Sequence, residues 1–438
     1  MRILHVVQRY WPGVGGAEKH LQEISERLVR DGHEVTVYTT DAGDFQYLWD
    51  GRKTPLETLE EVHNGVTIRR FRLRHFPLSY RTFPAMRRAL VMLSDLASLW
   101  PDALGERMEG VWVNLLFRLA HYMPWVPGLA RALREAHGQF DVVAGMTIHY
   151  ESLLEPAWRH ARREHIPFLL YPLIHLAESE RSSLRRYHTM RHQLALARAS
   201  DVVFAQTGLE RDFWIRQGVA PERIVIGGVG INPWELAGGD AARARARFGL
   251  ARPIVLALGA AAYDKGTFHT VEAMRRLWAR GVEADLVIAG AVTDGFARWL
   301  RASERGKRDP RLRVLGSVSD AEKCDLLAAA SVLALPSRTD SFGIVFLEAW
   351  LYGLPVVGAA AGGIPDVIVD GQDGYVVPFG DVEALAQKLA RLLADPDLAR
   401  RMGEAGRRKV LAQHTWDHVY ARVRPSYERA CERRSNPV

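Results

Sequence analysis

RILHVVQRYWPGVGGAEKHLQEISERLVRDGHEVTVYTT, residues 2–40, decides the fold. The apolar run RILHVV reads as a short buried strand, and the glycine loop WPGVGGAE follows it. HLQEISERLVRDGH then sets Leu21, Ile24 and Leu28 on one helical face, with Gly32 as the stop. EVTVYTT reads as a second strand. Strand, crossover helix and strand make a βαβ unit, which implies a parallel sheet with helices on both faces. Further strands are expected at 66–73, 141–145, 167–171 and 201–205. A second series starts near 253, where PIVLALG, ADLVIAG, RVLGSV and SVLALP read as strands spaced by helices. Glycines and a proline at 227–240 break the pattern and join two similar α/β halves.

The bulk numbers agree with two halves. A chain of 438 residues is too long for one core, so two domains are expected. Hydrophobic residues make up 48% and charged residues 25%, ordinary values for a soluble globular enzyme. The net charge of +7 suggests an anionic partner: a nucleotide, a lipid headgroup or nucleic acid. The two cysteines, Cys324 and Cys431, form no metal or disulfide spacing, so a reducing cytoplasm is expected. The start, MRILHVVQRYWPG, has too short an apolar run for a signal peptide. Residues 110–128 come nearest to a membrane span, but Asn114, Arg118 and His121 interrupt them.

A second stretch sets a chemical problem. SRTDSFGIVFLEAWLYGLPVV, residues 337–357, places Glu348 inside an apolar run and Asp340 just before it. An unpaired carboxylate there costs several kcal/mol or takes up a proton. FGIVFLEAWLYG is expected to be a buried helix ended by Gly353. Asp340 is then expected at or just before the N-cap, with the N–H groups of Phe342, Gly343 and Ile344 facing an anion or hydroxyls. Helical rise puts Asp340 and Glu348 about 10 Å apart. That exceeds the roughly 5–9.5 Å of a glycosidase pair and suits an elongated ligand held at two points. Read alone, Asp340 is an N-cap and Glu348 half of a buried salt bridge with an arginine.

Other stretches carry weaker signals. LALGAAAYDKGT, 256–267, runs strand, loop, helix, and Lys265 in it reads as a solvated loop lysine or a point charge for a diphosphate. GVGGAE, 13–18, puts Gly15 and Gly16 between strand and helix, where backbone can approach a phosphate or acceptor. It lacks the third glycine of a dinucleotide fingerprint, so a tight turn is the plain alternative. DPD, 395–397, imitates a metal motif but sits between helices and reads as a surface turn. From Arg69 to Arg88 there are seven arginines and no acid, interleaved with Phe71, Phe76, Tyr80 and Phe83. The readings are a solvated basic face, or docking on an anionic membrane or a lipid diphosphate. Single-stranded nucleic acid is the third, without any accompanying motif. Trp100, Trp112 and Trp125 nearby read as core or as interfacial anchors.

TDSFGIVFLEAWLYGLPVV, with GGIPDVIVDGQDGYVVPFGD after it, resembles the carboxy-terminal nucleotide-sugar site of retaining GT-B glycosyltransferases of family 4 (glycosyltransferase group 1). YWPGVGGAEKHLQEISERLVRDGHEVTVYT resembles the family's first βαβ, and the likeness covers most of the chain outside roughly 75–135. The resemblance implies an α/β GT-B fold: two doubly wound Rossmann-like domains facing across a cleft. It implies that Glu348 accepts from the two ribose hydroxyls, a good match of carboxylate to vicinal diol. Asp340 and the N–H groups at 342–344 would hold donor-sugar hydroxyls, with Asp340 standing where the family usually has Glu. Lys265 would meet the diphosphate. The family places Arg directly after Gly259, where this chain has Ala260, so one expected phosphate clamp is missing. His175, in LLYPLIHLAES, matches the family's histidine facing the reacting sugar, and His149, in GMTIHYES, is its competitor. Either also reads as a structural histidine. Val318, in LGSVSDAEKCDLLAAA, would offer backbone to the base, unless that stretch is a plain β–α connection.

These readings set the expectations. Residues 1–230 form the acceptor-side domain with a helical basic and aromatic insert at about 75–135. Residues 231–415 form the donor domain, and a helix in 416–438 crosses back. The reaction is retaining transfer of a hexose from a nucleotide diphosphate sugar to a glycan, lipid-linked or small-molecule acceptor, as in cell-envelope polysaccharide synthesis. No cofactor and no metal are expected, and nucleic acid is not expected as a partner. The expected place is the cytoplasm, with the inner face of the membrane as a docking surface. A sugar-nucleotide epimerase and a non-catalytic membrane-associated binding protein stand as alternatives.

Overall fold

The computed structural model describes residues 1–13, 15–96, 105–179, 182–303 and 309–435. It divides into two units. Met1–Ile174, Ser183–Gly227 and Tyr420–Val438 form the first, and His175–Ser182 with Gly228–Val419 form the second.

In the first unit the strands are β1 (Arg2–Val6), β2 (Glu34–Thr40), β3 (Glu60–His63), β4 (Val66–Phe71), β5 (Val142–Met146), β6 (Phe168–Tyr171), β7 (Val202–Ala205) and β8 (Ile224–Ile226). Their order is β3-β4-β2-β1-β5-β6-β7-β8. Every pair is parallel except β3 with β4. The run from β4 to β7 has the strand order of a doubly wound nucleotide-binding sheet. Helices cover both faces, so Ile3, Leu4, Val142 and Val143 are wholly buried and the strands read as continuous apolar runs. Strand β3 was missed, because EEVH is a partly exposed charged edge, whereas β4 falls where a strand was expected at 66–73. Strand β8 was also missed, being only 3 residues long.

The second unit holds β9 (Ile254–Leu258), β10 (Asp285–Ala289), β11 (Leu312–Gly316), β12 (Val332–Leu335), β13 (Val356–Ala359) and β14 (Gly374–Val377). Their order, β11-β10-β9-β12-β13-β14, is again doubly wound and wholly parallel. Sequence reading found the first four and missed VVGA and GYVV, each of 4 residues. Val255, Leu286, Val332 and Val357 join Met274 and Leu389 from flanking helices in one core.

The insert in the first unit is helical, over Ser79–Leu96, Gly105–Ala120 and Pro127–Glu135. It has its own small core of Leu90, Val91, Leu116, Ala120, Met123 and Met190. The arginine run is less free than its sequence suggests. Arg69 pairs with Glu60, Arg70 with Glu61, and Arg87 with Glu151 at 2.7 Å. Sequence reading missed these acids because they lie outside 69–88. Trp112 donates to Leu93 O at 3.2 Å, and Trp125 stacks on Phe76, so both are packed within the insert and neither is a free anchor. Trp100 lies outside the described residues.

The last helix is Trp416–Ser435. Within the first unit, the Tyr427 hydroxyl meets His5 Nε2 at 3.0 Å and Tyr171 Oη at 3.2 Å. Arg422 donates to Gly227 O at 2.9 and 3.0 Å.

Candidate functional site

In a doubly wound sheet the chain leaves two central neighbouring strands in opposite directions. The crevice beyond their carboxyl ends is where ligands bind. In the second unit those strands are β9 and β12. The loop after β9 carries Gly259, Ala260 and Lys265, and the loop after β12 carries Asp340.

The two loops are sewn together. Arg338 N donates to Asp264 O at 2.9 Å, and Ser337 Oγ reaches the same carbonyl at 3.2 Å. Gly266 has φ +74, and a Cβ there would lie 2.1 Å from Pro336 O, so only glycine permits this approach. The result aims Lys265 at Asp340: Nζ lies 2.9 Å from Oδ1 and 3.0 Å from Oδ2. Burial raises the Asp340 pKa, but Lys265, Ser337 and His175 outweigh it and the carboxyl stays below its usual value.

His175 belongs to the same unit. Its segment is held by Gly362 N donating to Ala177 O at 2.8 Å and by Glu178 pairing with Arg338 at 3.1 Å. Leu173 (φ 49) and Ala177 (φ 57) flank it in the left-handed region. Such strain gathers where surrounding structure fixes a loop for function. Burial pushes the His175 imidazole down to about 4, with Asp340 opposing and Lys265 assisting. The ring is therefore neutral at pH 7. The competitor His149 belongs to the first unit, where its ring lies 4.4 Å from that of Tyr150 and 5.0 Å from that of His188.

The buried helix is Ile344–Leu351, with Phe346, Leu347, Ala349 and Trp350 inside. Asp340 is not its N-cap. Gly343 takes that place at φ +87, with no side-chain cap, and the Asp340 carboxylate goes to Lys265 instead. The N–H groups of Gly343 and Ile344 start the helix, while that of Phe342 precedes it. Glu348 is paired, though not with an arginine. Lys323 Nζ lies 2.9 Å from its Oε1, and the two side chains are 23% and 12% exposed.

The other predicted positions are dispersed. Gly259 follows β9 at φ +131, and Ala260 contributes only a methyl group beside it. Val318 lies between β11 and helix Asp320–Ala329, which a Ser319–Glu322 capping box opens. Gly15 and Gly16 begin helix Gly16–Arg30 in the first unit, and Val14 lies outside the described residues. At Gly15 a Cβ would meet the Glu18 carboxylate at 2.2 Å, and Glu18 is held by Arg9 at 2.9 Å. DPD is not a surface turn: Asp395 caps helix Pro396–Gln413 through Leu398 N, Pro396 and Asp397 open that helix, and Asp397 pairs with Arg400. Sequence reasoning missed Lys323 and Arg338. No spacing marks them, because their partners Glu348, Asp264 and Glu178 are 25, 74 and 160 positions away. Among the described residues no group of three or more His, Cys, Asp or Glu could hold a metal ion, and no helix is long and apolar enough to cross a membrane.

Comparison with known proteins gives two family matches. Residues 240–409 match the glycosyl transferases group 1 family and residues 15–230 the glycosyl transferase 4-like domain. The chain is 30% identical to the D-inositol 3-phosphate glycosyltransferase of Streptomyces bingchenggensis over 67% of either chain. It is 28% identical to the alpha-maltose-1-phosphate synthase of Mycolicibacterium smegmatis, over 75% of this chain and 90% of that one. The crystal structure of Anabaena Alr3699/HepE in complex with UDP and glucose superposes with a TM-score of 0.70 at 19% identity, covering 98% and 99% of the two chains.

Proposed function

Since the chain belongs to the group 1 glycosyltransferases of family 4 and has their GT-B architecture of two Rossmann-like bodies, we propose that it is a retaining transferase using a nucleotide diphosphate sugar. The observation that carries this reading is the set Lys265, Asp340 and neutral His175 at the switch point of the second unit.

In this reading Glu348 accepts from the ribose diol, and Asp340 and His175 hold hydroxyls of the donor sugar. The bond from the anomeric carbon to the diphosphate breaks first, and negative charge grows on the departing oxygens. Lys265 and the N–H groups opening helix Ile344–Leu351 meet that charge where it develops. No bound metal is needed for this. The acceptor hydroxyl attacks the face the diphosphate leaves, and its proton passes to a diphosphate oxygen, so configuration is retained. Lys265 is paired with Asp340, so incoming phosphate must compete for its charge. Ala260 leaves out the second cation of the family pattern. The curated relatives are named as transferases and synthases, which favours transfer over epimerisation.

One observation favours an acceptor at a membrane surface. Helix Gly105–Ala120 exposes Val111, Leu115 and Leu119, four positions apart on one stripe, and Arg118 beside them. Helix Ser79–Leu96 exposes Met92 and Leu96, with Arg81 and Arg88 on its surface. The acceptor in this reading is a glycan or lipid-linked molecule presented at an anionic bilayer, on its cytoplasmic side.

The test is incubation with UDP-, GDP- and ADP-sugars, with and without glycan and lipid-linked acceptors, followed by proton NMR of the anomeric signal. Acceptor-dependent product with the donor's anomeric configuration is expected. Inverted product, or an epimer formed from donor alone, contradicts the reading.

A further inference from the structure

Lys323 stands in the first turn of helix Asp320–Ala329. Its ammonium lies 2.9 Å from Glu348 Oε1 and 3.4 Å from Asp320 Oδ1. Among the described residues no hydrogen bond reaches Glu348 Oε2. Asp320 is 94% exposed and well solvated, whereas Glu348 is largely enclosed. The other charge acting on Glu348 is Glu235, from the short turn Pro233–Leu236. Helix Pro396–Gln413 also packs on the Glu348 helix, but its Lys409 is committed to Asp373 and the Trp350 ring. Strand β13, VVGA, brings no titratable group. Glu348 therefore faces two acids and a single cation among the described residues.

We propose that Lys323 is a positioning residue that keeps Glu348 ionised and holds one of its oxygens, leaving the other for the ribose diol of the donor. This rests on the donor reading above and names what makes Glu348 usable in it. A carboxylate enclosed by apolar groups and facing two like charges takes up a proton when its cation is removed. Once protonated it spends one oxygen as a donor and can no longer accept from both hydroxyls of a diol. The titration directions agree: burial raises Glu348, Lys323 pulls it only part of the way back so that it stays above its usual value, and Lys323 is itself raised in spite of burial.

The experiment is calorimetric titration of the full chain with UDP, GDP and ADP at pH 6.0 and pH 8.5, carrying forward whichever binds best. Comparing each variant with wild type at the same pH cancels the titration of the nucleotide's own phosphate. Lys323→Met is expected to bind about tenfold more weakly than wild type at pH 6.0 and to recover most of that loss at pH 8.5. Lys323→Arg keeps the charge and is expected to bind like wild type at both pH values. Glu348→Gln is expected to bind weakly with the same ratio to wild type throughout. If Lys323→Met does not fold, as judged by circular dichroism, Lys323→Gln takes its place with the same expectation. Lys323→Met (or Lys323→Gln in its place) equal to wild type at both pH values, or weakened equally at both, overturns the proposal while Glu348→Gln still weakens binding. Wild-type affinity in Glu348→Gln, or no binding of any of the three nucleotides, overturns the donor reading beneath it.

Discussion

At the scale of the residue, the site is a set of compensated charges. Lys265 neutralises Asp340 and Lys323 neutralises Glu348. His175 is the member whose protonation state is set mainly by burial. Its pKa falls from 6.5 to about 4, so folding favours the neutral ring. That contribution is complete above about pH 6.5, the unfolded value. It is lost as pH falls towards 4. The melting temperature of wild type is therefore expected to drop more between pH 7 and pH 4 than that of His175→Gln, which has no proton to gain. Equal acid slopes in the two proteins would show that the ring is not buried as described. Glu348 and Asp340 were legible because an acid in an apolar run is costly and conspicuous. Their partners were not, because an ion pair across 25 or 75 positions leaves no local pattern.

The elements differ in how plainly the sequence announced them. Strands β5 and β9 are wholly buried and β1 and β2 are largely buried beyond their first residues, so PIVLALG stood out as an apolar run and EVTVYTT as a β-branched one. Strands β13 and β14 are nearly as buried, but VVGA and GYVV each carry a glycine that reads as loop, unlike VLAL of β12, which is also 4 residues long. The insert was visible as a departure from the α/β pattern, though what fixes it was not. Glu151, wholly buried at the start of helix Glu151–Arg163, receives Arg87 at 2.7 Å, His192 at 3.2 Å and Gln193 at 2.6 Å. Burial raises the Glu151 carboxyl, but Arg87 and His192 outweigh it and the pKa settles at about 2. The stabilisation is thus present above the unfolded value near 4.5 and is lost as pH falls from there to about 2. Arg87→Ala leaves a buried charge uncompensated and is expected to cost about 3–5 kcal/mol in chemical denaturation at pH 7. Adding Glu151→Gln to it is expected to recover part of that loss. A cost below about 1 kcal/mol would mean the pair is solvated.

For the molecule as a whole, two similar sheets divide the work. Both have the doubly wound order, and both were foreseen from the βαβ reading of residues 2–40 and its echo from 253. Lys265, Asp340, His175 and Glu348 all belong to the second unit, where the loops after β9 and β12 bring Lys265 to Asp340 at a switch point. No single segment shows that convergence, since it depends on strand order. The direct measurement of the account is a thermal-shift screen of the full chain against UDP-, GDP- and ADP-sugars, run in parallel with Glu348→Ala. One nucleotide class is expected to raise the wild-type melting temperature at saturating concentration, and the variant to lose most of that rise. A variant that responds like wild type would show that the enclosed acid does not hold the donor.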